Sequence, residues 1–268
     1  MSLVLKNKIV TRCGELDIPL VGFAPAERWD IPLFDPWIPE AFRPRSIFPE
    51  TKTVIVIGLP VSLPIVETAP SIYYHELYRT VNTLLDTSGY RISLLLNAEG
   101  FSSIWVPRDG YGSISILKEK PTTFFSHRHA AFLAGLGNFG INNMLLTAKY
   151  GPRVRFTSIF TSADIPADPV VQQPLCTSCM QCVDACPVKA LDGRPYPGGL
   201  TDKKSCATRS EALFKRSISP CGLCIRACPV GEDRKLYCRE DTAIYTNESE
   251  ENARYHQAWK HVRSYGGR

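Results

Sequence analysis

Cysteine is nearly absent from the first two-thirds of this chain and crowded into the part that follows. Of ten cysteines in 268 residues, only Cys13 precedes Cys176. Long apolar runs are missing as well. The most apolar stretch, residues 53–66, is interrupted by Pro60 and Pro64 and is too short to span a bilayer. No leader pattern is visible, since Lys6 and Lys8 break the apolar start. A large charge excess is also lacking: +5 overall does not by itself mark a nucleic-acid binder. With 44% hydrophobic and 21% charged residues, the chain is not of the disordered class either. These absences predict a cytoplasmic protein with no membrane partner. In a reducing compartment, cysteines at metal-ligand spacing read as ligands rather than disulfides.

A chain segment with one cysteine must build its core from apolar periodicity. Residues 3–14 suit a helix and 18–23 a strand. The run TVIVIG at 53–58 is β-branched and continuous, the mark of a buried strand. Tyr74, Leu77, Tyr78, Val81, Leu84 and Leu85 fall at helical spacing over 71–86. After a turn at Ser88-Gly89, 91–96 reads as a strand; a helix at 126–134 and strands at 144–147 and 154–161 complete the pattern. Alternating strands and helices predict an α/β architecture. The composition shift after the proline-rich 163–174 predicts three parts: an α/β cofactor domain over 1–165, a cluster module over 166–240 and a C-terminal helix or tail over 241–268. Tyr255, Trp259 and Val262 sit at helical spacing in that tail.

Two cysteine runs carry the chemistry. The first is Cys176-x2-Cys179-x2-Cys182-x3-Cys186-Pro187, and the second Cys221-x2-Cys224-x3-Cys228-Pro229, with Cys206 upstream. A cubane needs four thiolates converging on its irons, and in two-cluster ferredoxin modules the cysteine before proline ligates the other cluster. That rule assigns Cys176, Cys179, Cys182 and Cys228 to one [4Fe–4S] cluster. The other takes Cys186, Cys221 and Cys224, with Cys206 as its fourth ligand. Paired C-x2-C motifs also build zinc ribbons, but two C-x3-C-P endings are not a zinc pattern. Cys13 and Cys238 fall outside both sets and read as ordinary cysteines.

The segment AAFLAGLGNFGINNMLLT at 130–147, with Tyr150-Gly151, the crossed cysteines and Tyr74-His75 within SIYYHELYRTVNTLL, resembles the epoxyqueuosine reductase family, which shares its architecture with the reductive dehalogenases. The resemblance covers roughly residues 10–235. It implies a nitroreductase-like domain that binds cobalamin, joined to the bacterial-ferredoxin-like double-cluster module, with electrons passing through the clusters to cobalt and on to a substrate. Tyr74, His75, Leu145 and Thr147 match the family's cobalamin-contact region. Counting back from Ala134 to where the family carries its catalytic acid lands on Pro121, and the interval offers Ser126, His127, Arg128 and His129 instead. His127 and His129 are the candidate replacement acids. His127 is taken forward as the catalytic candidate, lining the cavity with His75.

Gly135-Leu136-Gly137-Asn138-Phe139-Gly140 matches the dinucleotide fingerprint literally. A strand should precede it and a helix follow, with an acid about 20 residues on; here that order is reversed and the acid is missing. Gly135 and Gly137 read instead as points where backbone closely approaches a large flat cofactor, a corrinoid or alternatively FMN. Three functions follow: a corrinoid-dependent reductase, a flavin-dependent reductase on the same fold, or an electron carrier that re-reduces a partner protein's corrinoid or metal centre. A ferredoxin or flavodoxin is the expected electron donor. The basic tail (Arg254, Lys260, His261, Arg263, Arg268) makes tRNA a weaker candidate partner, because the neighbouring Glu248, Glu250 and Glu251 dilute its field.

Overall fold

The computed structural model describes residues 2–31, 38–109, 112–120 and 122–265; Pro121 and Arg268 lie outside them. The N-terminal part comprises helix α1 (Ser2–Glu15), strands β1 (Leu20–Pro25) and β2 (Thr53–Pro60), helix α2 (Ile72–Ala98), strand β3 (Ser103–Val106), helix α3 (His127–Leu133), the short strands β4 (Asn138–Phe139) and β5 (Leu145–Leu146), and strand β6 (Val154–Thr161). Helices α4 (Gln181–Asp184), α5 (Lys203–Phe214) and α6 (Leu223–Ala227) carry cysteines, and α7 (Ala253–Ser264) ends the described chain. Among the described residues no helix is long and apolar enough to cross a membrane.

The main sheet has the order β1-β2-β6-β3 with every pairing antiparallel. Antiparallel sheets often leave one face wet; this one is covered on both. Successive side chains alternate faces, so Ile55 and Ile57 of β2 join Ile9 of α1 and Leu85, Ile92 and Leu96 of α2. Val54 and Val56 join Phe156, Phe160, Ala130 and Ala134 on the opposite face. Double coverage explains the unbroken apolar run of β2. Each such aliphatic side chain contributes about 1.5–3 kcal/mol by leaving water.

One element differs from the sequence expectation. Residues 91–96 are not a strand but the last turns of α2, which runs unbroken through Ser88-Gly89. Leu85, Ile92 and Leu96 lie two turns and then one turn apart on a single helix face and are fully buried against the sheet. A short apolar run such as ISLLL fits a strand or a helix equally well, and packing decides. The expected strand position is taken by β3, whose start is tied to α2 by paired bonds between the Asn97 amide and the Ser103 backbone (2.8 and 3.0 Å).

The C-terminal parts are anchored by buried arginines. Arg153, just before β6, is fully buried and bidentate to Asp233 (2.6 and 2.7 Å). In α7, Trp259 is buried, Tyr255 lies under the Arg239 guanidinium at 4.5 Å, and Arg263 donates to the carbonyls of Glu67 and Thr68. Those aromatic rings are engaged in packing. Replacing Asp233 by Asn leaves the Arg153 cation buried without its counter-ion, and should lower unfolding free energy by about 3–5 kcal/mol. Denaturant unfolding measures it; a change under about 1 kcal/mol would mean the pair does not hold the seam.

Candidate metal centre and adjoining arginine–tyrosine cluster

The two cysteine runs fold into one repeated unit. Cys179 and Cys221 are each followed by a left-handed residue, Met180 (φ 63°) and Gly222 (φ 71°), that starts a short helix. Cys182 then lies in α4 and Cys224 in α6, and each helix runs on to a Cys-Pro ending. Left-handed residues at such bends turn successive backbone N–H groups toward one concavity, which favours an anionic centre. Ile141, from the glycine-rich segment, is wedged among Cys182, Leu191, Cys176, Cys186 and Cys224, between the two runs.

The thiols sort by neighbours into quartets. Burial, then the charges of Cys228, Cys179 and Cys176, push the Cys182 thiol up to about 12. Burial, then Cys221 and Cys186, raise Cys206. Cys224 is raised by burial, then by Cys206 and Cys221, with Cys182 and Cys186 further down. One group is therefore Cys176, Cys179, Cys182 and Cys228, and the other Cys186, Cys206, Cys221 and Cys224. Thiols held up this way are neutral when bare and lose their protons when iron binds. Among the described residues no three His, Cys, Asp or Glu side chains close onto a single ion; a cubane does not ask for that, because each thiolate bonds a separate iron.

Donors surround the ligands. Ala190 N–H reaches Cys186 Sγ and Arg209 Nε–H reaches Cys221 Sγ, both at 3.2 Å. At the other quartet two fully buried arginines, Arg153 and Arg234, donate to the Cys228 carbonyl at 3.3 and 2.8 Å. Cys13 is different: it is buried in the α1 core and burial alone pushes its thiol up to about 12, an inert cysteine.

The six residues expected to touch a cofactor all have close neighbours within the protein. Tyr74 is 1% exposed, and a Cβ on Gly222 would lie 2.5 Å from its ring. His75 Nδ1–H donates to the Ser219 carbonyl. Together they seat the second cysteine loop on α2. Gly135 (φ 74°) and Gly137 (φ 157°) do serve close approach, but to this chain's own backbone: added Cβ atoms would meet the carbonyl oxygens of Pro169 and Leu146. Leu145 is core, and Thr147, 1% exposed, caps a local turn by accepting from Tyr150 N–H. His127 is likewise satisfied: Nε2–H donates to the Pro107 carbonyl and Nδ1 accepts from the Ser158 hydroxyl. Burial holds its imidazole down to about 4, and His129 down to about 3, so neither carries a donatable proton near neutrality.

The pattern missed a constellation one turn further along α2. Tyr74, Tyr78 and Asn82 share a helix face, and Arg155, at the start of β6, meets it: its guanidinium lies 4.3 Å from the Tyr78 ring and bonds Asn82 at 3.0 Å and Asp109 at 3.1 Å. Tyr78, Arg128 and Cys224 all keep solvent-reachable surface. Burial nonetheless shifts each, Tyr78 and Cys224 upward and Arg128 downward. The Arg128 cation lies within electrostatic reach of Tyr196, Arg155, Tyr78 and Cys206, which places positive charge between the phenol and the second group of thiols. The i, i+4 spacing of Tyr74, Tyr78 and Asn82 was the available signal; the arginines came from distant segments.

The His127 shift has a measurable consequence. Its folded pKa lies below the ordinary imidazole value of 6.5, so the unfolded chain binds more protons between pH 6.5 and 4. Stability from this group is full above pH 6.5 and declines as pH falls toward 4. Replacing His127 with Asn should flatten that part of the stability profile, and an unchanged slope would reassign it.

A family model described as a 4Fe-4S dicluster domain matches residues 175–232. A tetrachloroethene reductive dehalogenase of Desulfitobacterium hafniense is 24% identical over 66% of this chain and 32% of that protein. An epoxyqueuosine reductase of Listeria monocytogenes is 26% identical over 88% of this chain and 67% of that protein. The fold also matches a solved reductive dehalogenase whose structure suggests a mechanism for B12-dependent dehalogenation, with TM-score 0.61, 18% identity, and coverage of 96% of this chain and 35% of that one. The chain thus spans about a third of the dehalogenases it matches. It is similar to the epoxyqueuosine reductases and the reductive dehalogenases, and its residues 175–232 match a 4Fe-4S dicluster domain.

Proposed function

We propose that this protein is an iron–sulfur reductase in which two [4Fe–4S] clusters deliver electrons to a corrinoid beside the second quartet. The observation that carries the reading is the charged cluster there: Arg155 lies over the Tyr78 ring, and Arg128 is within electrostatic reach of both and of Cys206. Cys176, Cys179, Cys182 and Cys228 hold one cluster, and Cys186, Cys206, Cys221 and Cys224 the other. The sheet and α2 then form the nitroreductase-like cofactor domain. A low-potential carrier such as a ferredoxin or flavodoxin supplies the electrons.

The flat wall made by the Tyr78 ring under the Arg155 guanidinium suits a planar macrocycle, and a corrinoid bound there would supply a cobalt centre able to reduce a substrate. The chain's own contribution is a proton. Burial keeps Tyr78 Oη protonated at neutral pH. The adjacent Arg155 cation would stabilise the phenolate left after donation. Tyr78 thereby takes the role first sought at His127. Asp109 and Asn82 hold the guanidinium in place.

Metal analysis of anaerobically purified protein is the test. About eight irons per chain with stoichiometric cobalt, or cobalamin uptake by cobalt-free protein, supports the reading. Full iron with neither, or a bound flavin, overturns its corrinoid part. Tyr78→Phe should keep metal content and lose about 10²–10⁴-fold in turnover, with the loss confined to the proton-transfer step; undiminished turnover would remove Tyr78 from the chemistry.

A further inference from the structure

Helix α5 brings more than a ligand to the second quartet. Its start is fixed by Asp202, whose carboxylate accepts from the Lys204 and Ser205 backbone N–H groups at 3.1 and 3.0 Å. A lysine–glutamate pair, Lys118 to Glu211 at 2.8 Å, pins its far end to the neighbouring helix Ile114–Glu119. Between those anchors, Cys206 and Arg209 stand one turn apart and therefore share a face. The half-buried Arg209 uses that position to place Nε–H 3.2 Å from Cys221 Sγ.

The two quartets receive cationic charge differently. Each has a backbone donor to sulfur, Ala190 N–H on Cys186 and Val230 N–H on Cys228. Arg153 and Arg234 reach the first quartet through the Cys228 backbone carbonyl, several bonds removed from sulfur. Arg209 donates to a ligand sulfur directly, and a charge-assisted bond is roughly twice as strong as a neutral one. When a cubane takes one electron from a low-potential carrier protein, its iron is reduced, no bond is made or broken, and the cluster gains one negative charge. A cation bonded to ligand sulfur favours that reduced state over the oxidised one.

We propose that Arg209 is a positioning residue that holds up the reduction potential of the second cluster, the one held by Cys186, Cys206, Cys221 and Cys224. The proposal rests on the ligand sets given above but not on a corrinoid. Cobalt-free protein therefore tests it, and failure here would be separate from failure of the cofactor reading.

The experiment is an anaerobic redox titration of the cluster-loaded full chain, with the two reduced clusters followed by electron paramagnetic resonance. Cys206→Ser identifies the second cluster, because only that signal should change. Arg209→Met should retain full iron and both signals. At fixed potential, its second cluster should show at least a tenfold lower reduced-to-oxidised ratio, equivalent to about 59 mV for a one-electron couple. Arg209→Lys, which keeps the charge without the planar donor, should fall in between, and Lys204→Met on the same helix should leave both potentials where they were. Full iron with unchanged potentials in Arg209→Met overturns the proposal. So does loss of the second cluster from the Met and Lys variants alike, which would make Arg209 an assembly residue.

Discussion

The crossed ligation proposed above is the constraint from which the rest of this structure follows. Each cubane needs four thiolates, and under the crossing rule neither cysteine run alone supplies four to one centre. In that assignment Cys228 reaches back to the first run and Cys186 forward to the second, so the runs would not fold independently. Ile141 fills the wedge between them and thereby ties the glycine-rich segment to both. The turns and short helices of 175–232 bury too little apolar surface for a core, so metal ligation must contribute a large share of the module's cohesion.

Charge is the second consequence of that assembly. Fully buried Arg153 and Arg234 are among the largest enclosed side chains in the molecule, and only Arg153 has a bidentate carboxylate, Asp233. Arg234 bonds directly to neutral oxygens: the carbonyls of Cys228, Arg226 and Arg239 and the Tyr245 hydroxyl, which in turn donates to the buried Glu67 carboxylate. A buried cation without a counter-ion costs several kcal/mol. Glu67 supplies part of the compensating charge, and in the ligation proposed above four thiolates on a cubane would add to it. The arginines and the clusters therefore stabilise one another, and the same cations that anchor the loops bear on how readily the clusters accept electrons. Structure and redox chemistry are coupled through the Cys228 corner.

Much of this was legible in the sequence, for identifiable reasons. Ligand spacing is local, so the cysteine sets could be written from the two runs and Cys206. The β2 and β6 strands announced themselves by β-branched runs, and α3 by its periodicity. The C-terminal half of α2 did not, because five consecutive residues of ISLLL carry no period that separates a helix from a buried strand. Gly135 and Gly137 were correctly read as close-approach positions but not as to what approaches. A glycine reports that space is scarce, and cannot say whether backbone or cofactor occupies it. Arg128, Arg155 and Tyr78 belong to three elements far apart in sequence, and no spacing rule joins them.

Histidine and tyrosine exchange roles for a physical reason. Burial acts on both but in opposite chemical directions: it disfavours the charged form, which for His127 is the protonated one and for Tyr78 the deprotonated one. The same dry surroundings that strip the proton from the imidazole keep it on the phenol. A proton donor in a buried site is best built from a neutral acid, with a cation beside it to receive the charge left behind. Arg155, held by Asn82 and Asp109 over the Tyr78 ring, is that cation. In an interval without a carboxylic acid, the Tyr78 phenol is the proton donor that the proposed function assigns. It would act from α2, the helix whose preceding turn, Tyr74-His75, seats the cysteine loop.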